Sequence, residues 1–367
     1  MKSVNIILLG IYIINRMFVY TAIGAAIDRI IPIILLIINL RYLNFSISKA
    51  TGFLFVVMLI TLFSFSYYVK SSIELISFFS GLFLFYLAPY LFRKKSAQYR
   101  NEIYSIIINV LRVNILVVLI QFVMINGFES TLSFFWQTDF NTRPMGFFGE
   151  PSHFGSFCSL LVFMPSGFLK KHKSTVVFTL ISLLMTASLI SLIVMIFILL
   201  RYFENLGIKS KLCFITLTTL VSIPLVIFSP IKDRLINLSS LEDVSFVIRV
   251  VKGPLVALEM ETDEQIIGFG NKNEQKNQEY TNRSNIINSQ DYKESYSYYS
   301  GVFSELVYFG LIGFIILNLF YYSMLSQSGI LAFTFFEVIR LGSSINYSSS
   351  IAFLYVILAT IYLRRHN

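Results

Sequence analysis

The chain of 367 residues is 56% hydrophobic and only 13% charged, with a formal net charge of +9. Soluble domains hold about 25% charged residues, so there is too little charge to cover a water-facing surface; soluble enzyme, nucleic-acid binder and secreted disulfide scaffold are excluded. The apolar residues fall in runs such as 103–125 and 175–200, longer than the ~18 residues that mark a membrane span, and the chain reads as an all-α polytopic membrane protein.

In chain order, apolar windows place spans near 4–20, 30–43, 51–68, 73–92, 103–126, 153–169, 211–229, 301–324 and 346–363. The first run has the length of a signal-peptide core, but Arg16 and the second run from Ile30 make it an uncleaved span. The run 174–200 lies between two basic segments, and at about 1.5 Å per residue it cannot cross twice in full. It predicts a short helical hairpin with its turn near Ser188–Ser191. The run 329–340, with Glu337 and Arg340, predicts a short span before the last helix. About 12 crossings result, with both termini cytoplasmic, because Arg93–Lys95, Lys170–Lys173, Lys209–Lys211 and Arg364–Arg365 cluster between runs as cytoplasmic loops do. Cys158 and Cys213 each open an apolar run and set out neither a disulfide framework nor a metal-ligand spacing.

Two outer loops stand out, 126–152 and 230–300, within one integral membrane domain over 1–367. The distal part of the second, 271–300, is rich in Asn, Gln, Ser, Lys and Glu and reads as solvated. Its proximal part opens with a capping box, Ser240–Asp243. Apolar Val244, Val247, Ile248 and Val251 follow at helical spacing, giving a short amphipathic helix broken by Pro254, with Ser245, Arg249 and Lys252 on its polar side. No internal repeat supports an inverted-repeat transporter.

The chemistry-bearing residues lie in these loops. Arg143 and Glu150 stand at the mouth of the span that begins near Ser152. A helix start favours an anion, a guanidinium matches phosphate oxygens in a bidentate way, and Glu150 has the chemistry to accept a proton from a hydroxyl. The competing reading is that Glu150 and Ser152 cap the helix and Arg143 neutralises Glu150. The second group is Arg249 and Lys252, followed by Gly268, Phe269, Gly270 and Asn271; its competing reading is a solvated basic helix face. His153 is the one outer histidine, while His172 and His366 read as inner surface residues. Arg112 lies deep in its span, where charge is costly, with Glu74, Glu337 or a lipid headgroup as candidate partners. No outer carboxylate cluster has metal-ligand character.

The string from Arg143 to Gly155, Arg-Pro-Met-Gly-Phe-Phe-Gly-Glu-Pro-Ser-His-Phe-Gly, resembles the outer-loop signature of Wzy-type O-antigen and capsule polysaccharide polymerases. The likeness continues through Arg249, the Gly268–Asn271 turn and the helix from Ser300 to Gly313, covering about 100–325; the N-terminal third matches only in hydropathy. The resemblance implies a GT-C-like membrane glycosyltransferase without cofactor or metal, its active site formed by the two outer loops. It would transfer a growing glycan from undecaprenyl pyrophosphate to the non-reducing end of a lipid-linked repeat unit, in O-antigen or capsule assembly. The site would lie on the periplasmic face of the bacterial inner membrane, in contact with membrane lipid and a chain-length regulator protein, with no nucleic acid involved. Arg143 and Arg249 would hold pyrophosphate and Glu150 would be the base; Lys252, Tyr299, His153, Gly268, Gly270 and Asn271 would contact substrate. The related O-antigen ligases end this loop with His-[Asn/Ser/Gln]-x9-Gly-x-x-Gly. Here Tyr299 stands at the His position ahead of Gly310 and Gly313, which disfavours a ligase. An Arg-x10-Gly spacing described for some polymerases is missed by one residue at Gly155. A ligase and, further off, a lipid-linked oligosaccharide flippase remain the alternatives.

Overall fold

A computed structural model describes residues 2–18, 21–39, 52, 55–56, 85–88, 96–128, 143–148, 150–186, 188–203, 247–270, 274–283, 299–325, 330–343 and 350–363. Among the described residues every regular element is helical. Two helical stretches, Tyr99–Phe128 and Gly301–Leu325, are long and apolar enough to cross a membrane. The expected span at 211–229 and the capping box at Ser240–Asp243 lie outside the described residues, as do nearly all of 51–68 and 73–92. The chain divides into two compact units: Met1–Tyr42, Leu91–Ile236 and Thr360–Asn367 form one, Leu43–Tyr90 and Asn237–Ala359 the other.

In the first unit α1 (Lys2–Asn15) and α2 (Ala22–Asn39) form a helical hairpin. A reciprocal amide pair clasps its open end, Asn5 and Asn39 each donating to the other at 3.0 Å. At the turn the Thr21 hydroxyl accepts the Gly24 N–H at 2.8 Å, a helix-start cap. Arg16 pairs with Asp28 at 2.6 Å. That neutralisation lets Asp28 sit inside α2, which therefore starts eight residues before the expected boundary at Ile30. Beside the hairpin runs α3 (Ser96–Phe128). It exposes Val113, Leu116, Ile120 and Val123 while burying Leu111, Asn114, Val118 and Gln121. On α1, Val4, Ile7, Ile11 and Ile14 are likewise exposed. An apolar stripe facing outward with amides turned inward suits lipid rather than water.

The remainder of this unit comprises α4 (Pro151–Cys158), a 3-10 turn (Ser159–Phe163), α5 (Ser166–Lys171), α6 (Lys173–Met185) and α7 (Leu189–Phe203). The single span expected over 153–169 is thus corrected. Met164 is extended (φ −91°, ψ 146°), because the residue before a proline is driven from the helical region and Pro165 has no N–H to continue the ladder. Arg201, expected in an inner loop, is buried, and its Nε donates to the Met164 carbonyl at 3.1 Å. The hairpin at 174–200 is present as α6 and α7. α6 ends at Met185 and α7 opens at Leu189, so the hairpin reverses earlier than expected, and Thr186 Oγ1 donates to Ser191 Oγ at 2.8 Å. Arg112 finds Thr175 (3.1 Å), Asn109 (3.3 Å) and His172 Nδ1 (3.3 Å) as partners; of the expected partners, Glu337 pairs with Arg340 and Glu74 lies outside the described residues.

In the later part of the second unit a π-helical turn (Val247–Val251) leads into α8 (Lys252–Glu259), α9 (Thr262–Ile267) and α10 (Glu274–Arg283). The break expected at Pro254 is corrected: Pro254 is the third residue of α8, and the irregularity lies just before it, in the π-helical turn Val247–Val251. Then come α11 (Gly301–Leu325), α12 (Ile330–Gly342) and α13 (Ser350–Leu363) around Phe85, Phe320, Tyr321, Phe336 and Tyr355. Arg340, fully buried, ties α12 to α11. Its Nη2 pairs with Glu305, its Nη1 with Glu337 at 2.7 Å, and its guanidinium lies over the Tyr321 ring at 4.4 Å. Tyr321 donates to the second Glu305 oxygen at 2.5 Å.

Removing one member of a buried pair leaves an uncompensated charge, at a cost of about 3–5 kcal/mol, whereas apolar replacement of both is often mild. Arg340→Met should therefore destabilise the protein strongly, and Glu305→Gln combined with Arg340→Met should recover most of the loss. Denaturation midpoints in detergent of both single variants and the double decide it; losses that simply add in the double would show that the pair carries no coupling.

Candidate active site

The candidate residues fall into two groups, one in each unit. In the first, Arg143–Phe148 is a non-helical turn lying against the middle of α3. Gln121 Oε1 accepts the N–H groups of Met145 (3.0 Å) and Gly146 (2.8 Å), and its Nε2 donates to the Gly146 carbonyl at 3.1 Å. Asn114 Oδ1 accepts the Phe147 N–H at 3.1 Å. Gly146 has φ +68°, and a Cβ there would meet Asn114 Oδ1 at 2.9 Å, so the glycine permits the close approach. Asn114 and Gln121 are both buried. Sequence reasoning missed them, although two amides seven residues apart on one face of an apolar run were a readable signal.

From this turn the chain enters α4. Glu150 is its N-cap residue and Pro151 its first residue, yet the Glu150 side chain makes no capping hydrogen bond. Instead the Ser152 hydroxyl donates to Glu150 Oε2 at 3.0 Å. The capping reading of Glu150 and Ser152 is thus not realised. Arg143, Glu150 and His153 are half-buried. Phe148 packs on Phe154 and Phe157, with ring centroids at 5.9 and 5.3 Å, and fixes the turn onto α4.

In the second unit Lys252 and Tyr299, far apart in sequence, meet: Lys252 Nζ lies 4.7 Å from the Tyr299 ring centroid. Both are buried, Lys252 completely, so the reading of Lys252 as part of a solvated basic face is corrected. Tyr299 donates to Asn277 of α10 at 2.5 Å and stands edge-on to Tyr308 of α11 at 5.9 Å. Burial pushes the Tyr299 phenol up and the Lys252 ammonium down to about 7. Arg249 lies in the π-helical turn immediately before Lys252; its side chain, and all of Asn271, fall outside what the structure describes.

Gly268 and Gly270 belong to a backbone junction with α11. Gly310 (φ +62°, ψ −173°) interrupts α11 and frees the carbonyls before it. These accept Phe269 N–H (to Val307, 3.4 Å) and Gly270 N–H (to Tyr308, 3.1 Å). The two backbones interlock: a Cβ on Gly268 would come within 2.3 Å of the Tyr308 carbonyl, and one on Gly310 within 2.4 Å of that of Ile266. Glu264 of α9, accepting from Tyr280 and paired with Lys276 at 3.1 Å, holds α10 over this junction.

The unfolded chain carries on Lys252 a proton that the folded protein sheds above about pH 7. Stability should therefore rise with pH from about 7 toward the ordinary lysine value of ~10.4, by up to ~1.4 kcal/mol per unit. Below pH 7 the folded state bears the whole cost of the buried charge. Denaturation midpoints between pH 7 and 9 should rise in wild type and stay flat in Lys252→Met; parallel profiles would remove Lys252 as the titrating group.

No curated protein and no solved structure matches the chain. A family model does, described as WcaD colanic acid polymerase, over residues 4–334. Among the described residues every element is helical and two helices are long and apolar enough to cross a membrane, as in a membrane protein; by a match over nearly its whole length the chain belongs to the WcaD colanic acid polymerase family, and it is thereby a glycosyltransferase-type enzyme.

Proposed function

We propose that the protein extends a polysaccharide by transferring the growing glycan from a lipid pyrophosphate, undecaprenyl pyrophosphate by family likeness, to an incoming lipid-linked repeat unit. The family match supports polymerisation, and the observation that carries the site is Glu150, whose carboxylate stands at a helix start without capping it. In the proposed step the acceptor hydroxyl attacks the anomeric carbon of the donor's first sugar. The bond from that carbon to the pyrophosphate oxygen breaks, the hydroxyl proton passes to Glu150, and the lipid pyrophosphate departs. Arg143 and Arg249 hold pyrophosphate oxygens, which accumulate charge as the bond breaks. His153 and Asn271 contact the sugars. Lys252 and Tyr299 act from beneath, fixing the turn that carries Arg249, and Gly268 and Gly270 fix the junction with α11. The reaction takes place on the outer face of the bacterial inner membrane, in a chain that crosses about twelve times with both ends inside and works beside a chain-length regulator.

Arg143→Ala and Arg249→Ala should each reduce surface glycan to single units at normal protein level, and lysine should rescue poorly because a point charge cannot reproduce bidentate contact. Gels of surface glycan from complemented deletion strains read this directly. Loss of all attached glycan would favour a ligase, and full-length polymer in Arg249→Lys would make Arg249 a surface charge.

Glu150→Gln separates chemistry from structure. Loss of a general base should slow transfer by about 10²–10⁴. Gln keeps an oxygen to accept from the Ser152 hydroxyl, so the loss of stability should stay within about 1 kcal/mol. Turnover of purified lipid-linked units near the wild-type rate would take Glu150 out of the mechanism.

A further inference from the structure

We propose that Asn114 and Gln121 of α3 are positioning residues for the transfer reaction, holding the Arg143–Phe148 turn at a set depth beside the helix; this rests on the proposed roles of Arg143 and Glu150. Asn114 lies 14 residues (128 − 114) and Gln121 seven (128 − 121) before the end of α3 at Phe128, about 21 and 10 Å along the axis at 1.5 Å per residue. The chain therefore passes back alongside the helix that precedes it before α4 begins. Non-helical backbone at such depth is stable only where its polar groups are satisfied. Here three consecutive N–H groups, of Met145, Gly146 and Phe147, are taken by two side-chain oxygens, and Gln121 also satisfies the Gly146 carbonyl.

The two amides are themselves held. Asn114 Nδ2 donates to the Val110 carbonyl at 2.9 Å and to Met17 Sδ at 3.0 Å, which orients its oxygen toward the turn. Gln121 uses its oxygen twice and its amide once on the same turn. Arg143 lies two residues before the first anchored amide and Glu150 three after the last, with Pro144 stiffening one side and Phe148, seated on Phe154 and Phe157, the other. Position set at Asn114 and Gln121 is thus transmitted over very few rotatable bonds. A misplacement of about 1 Å of a catalytic group can cost 10²-fold in rate.

The test uses the full-length purified protein carrying Cys158→Ala, Cys213→Ala and Met145→Cys as its parent, so that one thiol reports from the buried Met145 position. Gln121→Met keeps the side-chain length but neither accepts nor donates; Gln121→Glu keeps an oxygen for both N–H groups and, when protonated, a donor for the Gly146 carbonyl. With purified lipid-linked repeat units as substrate, Gln121→Met should lower kcat about 10–100-fold with KM changed less than about threefold. In the same variant a water-soluble maleimide should label the introduced thiol at least about tenfold faster. Gln121→Glu should restore both readouts to within about threefold of the parent. Gly146→Ala, which pushes on Asn114 from the turn side, should repeat the Gln121→Met pattern if that variant folds poorly. Unchanged labelling would overturn the anchoring, and faster labelling with unchanged kcat would overturn the positioning role. Absence of polymer formation by the wild-type protein would sink the functional reading alone, while labelling of the parent and its variants would still decide whether the turn is anchored.

Discussion

Backbone amides away from water must find partners, and in each unit a segment with candidate residues is seated by that requirement. In the first unit a turn that leaves the helical ladder is satisfied by Asn114 and Gln121. In the second, the break at Gly310 supplies carbonyls that receive Phe269 and Gly270. Each device converts a local loss of helix into a rigid seat, for the turn between Arg143 and Glu150 in the first unit and for the Gly268–Gly270 segment in the second. An unmet N–H or C=O in hydrocarbon costs several kcal/mol, more than most side-chain contacts return. These seats are therefore set by necessity rather than by optional packing.

Buried cations follow the same logic with different solutions. Arg340 is neutralised by Glu305 and Glu337 and covered by aromatic rings. Arg201 spends its Nε–H on the carbonyl of Met164, which the break in the helix before Pro165 leaves outside the ladder. Lys252 lies over Tyr299 and sheds its proton near neutrality, because an amine can escape the cost of burial by deprotonation and a guanidinium cannot. The functional consequence is a division of labour. Arg340 is taken up in tying α12 to α11 and Lys252 in its buried contact with Tyr299, leaving Arg143 and Arg249 as the cations proposed for phosphate.

Hydropathy alone gave the membrane class, the long helix α3, the α6–α7 hairpin and the short helix α12, since each is a property of local sequence. Boundaries failed where a distant partner intervened. Asp28 was read as loop because its neutralisation by Arg16 is invisible in hydropathy, and 153–169 was read as continuous because Pro165 was outweighed by the apolar residues around it. The motif residues Arg143, Glu150, Lys252 and Tyr299 were legible as types, and the capping alternative for Glu150 was excluded only by its side-chain geometry. The contact between Lys252 and Tyr299 was not legible, because 47 residues (299 − 252) separate them and no periodicity spans that gap. Asn114 and Gln121 were visible but unweighted, since a buried amide signals a partner without saying which backbone it serves.

The central claim is that this chain by itself lengthens a lipid-linked glycan. The most direct measurement is incubation of the purified wild-type protein, in detergent or vesicles, with purified lipid-linked repeat units and no other enzyme, followed by gel or mass analysis of the lipid-bound glycan. The account predicts a ladder of products spaced by one repeat unit, each still carried on lipid pyrophosphate, with one equivalent of free lipid pyrophosphate released per bond formed. Single units that persist unchanged at high protein concentration, or transfer of unextended units to a non-lipid acceptor, would contradict it.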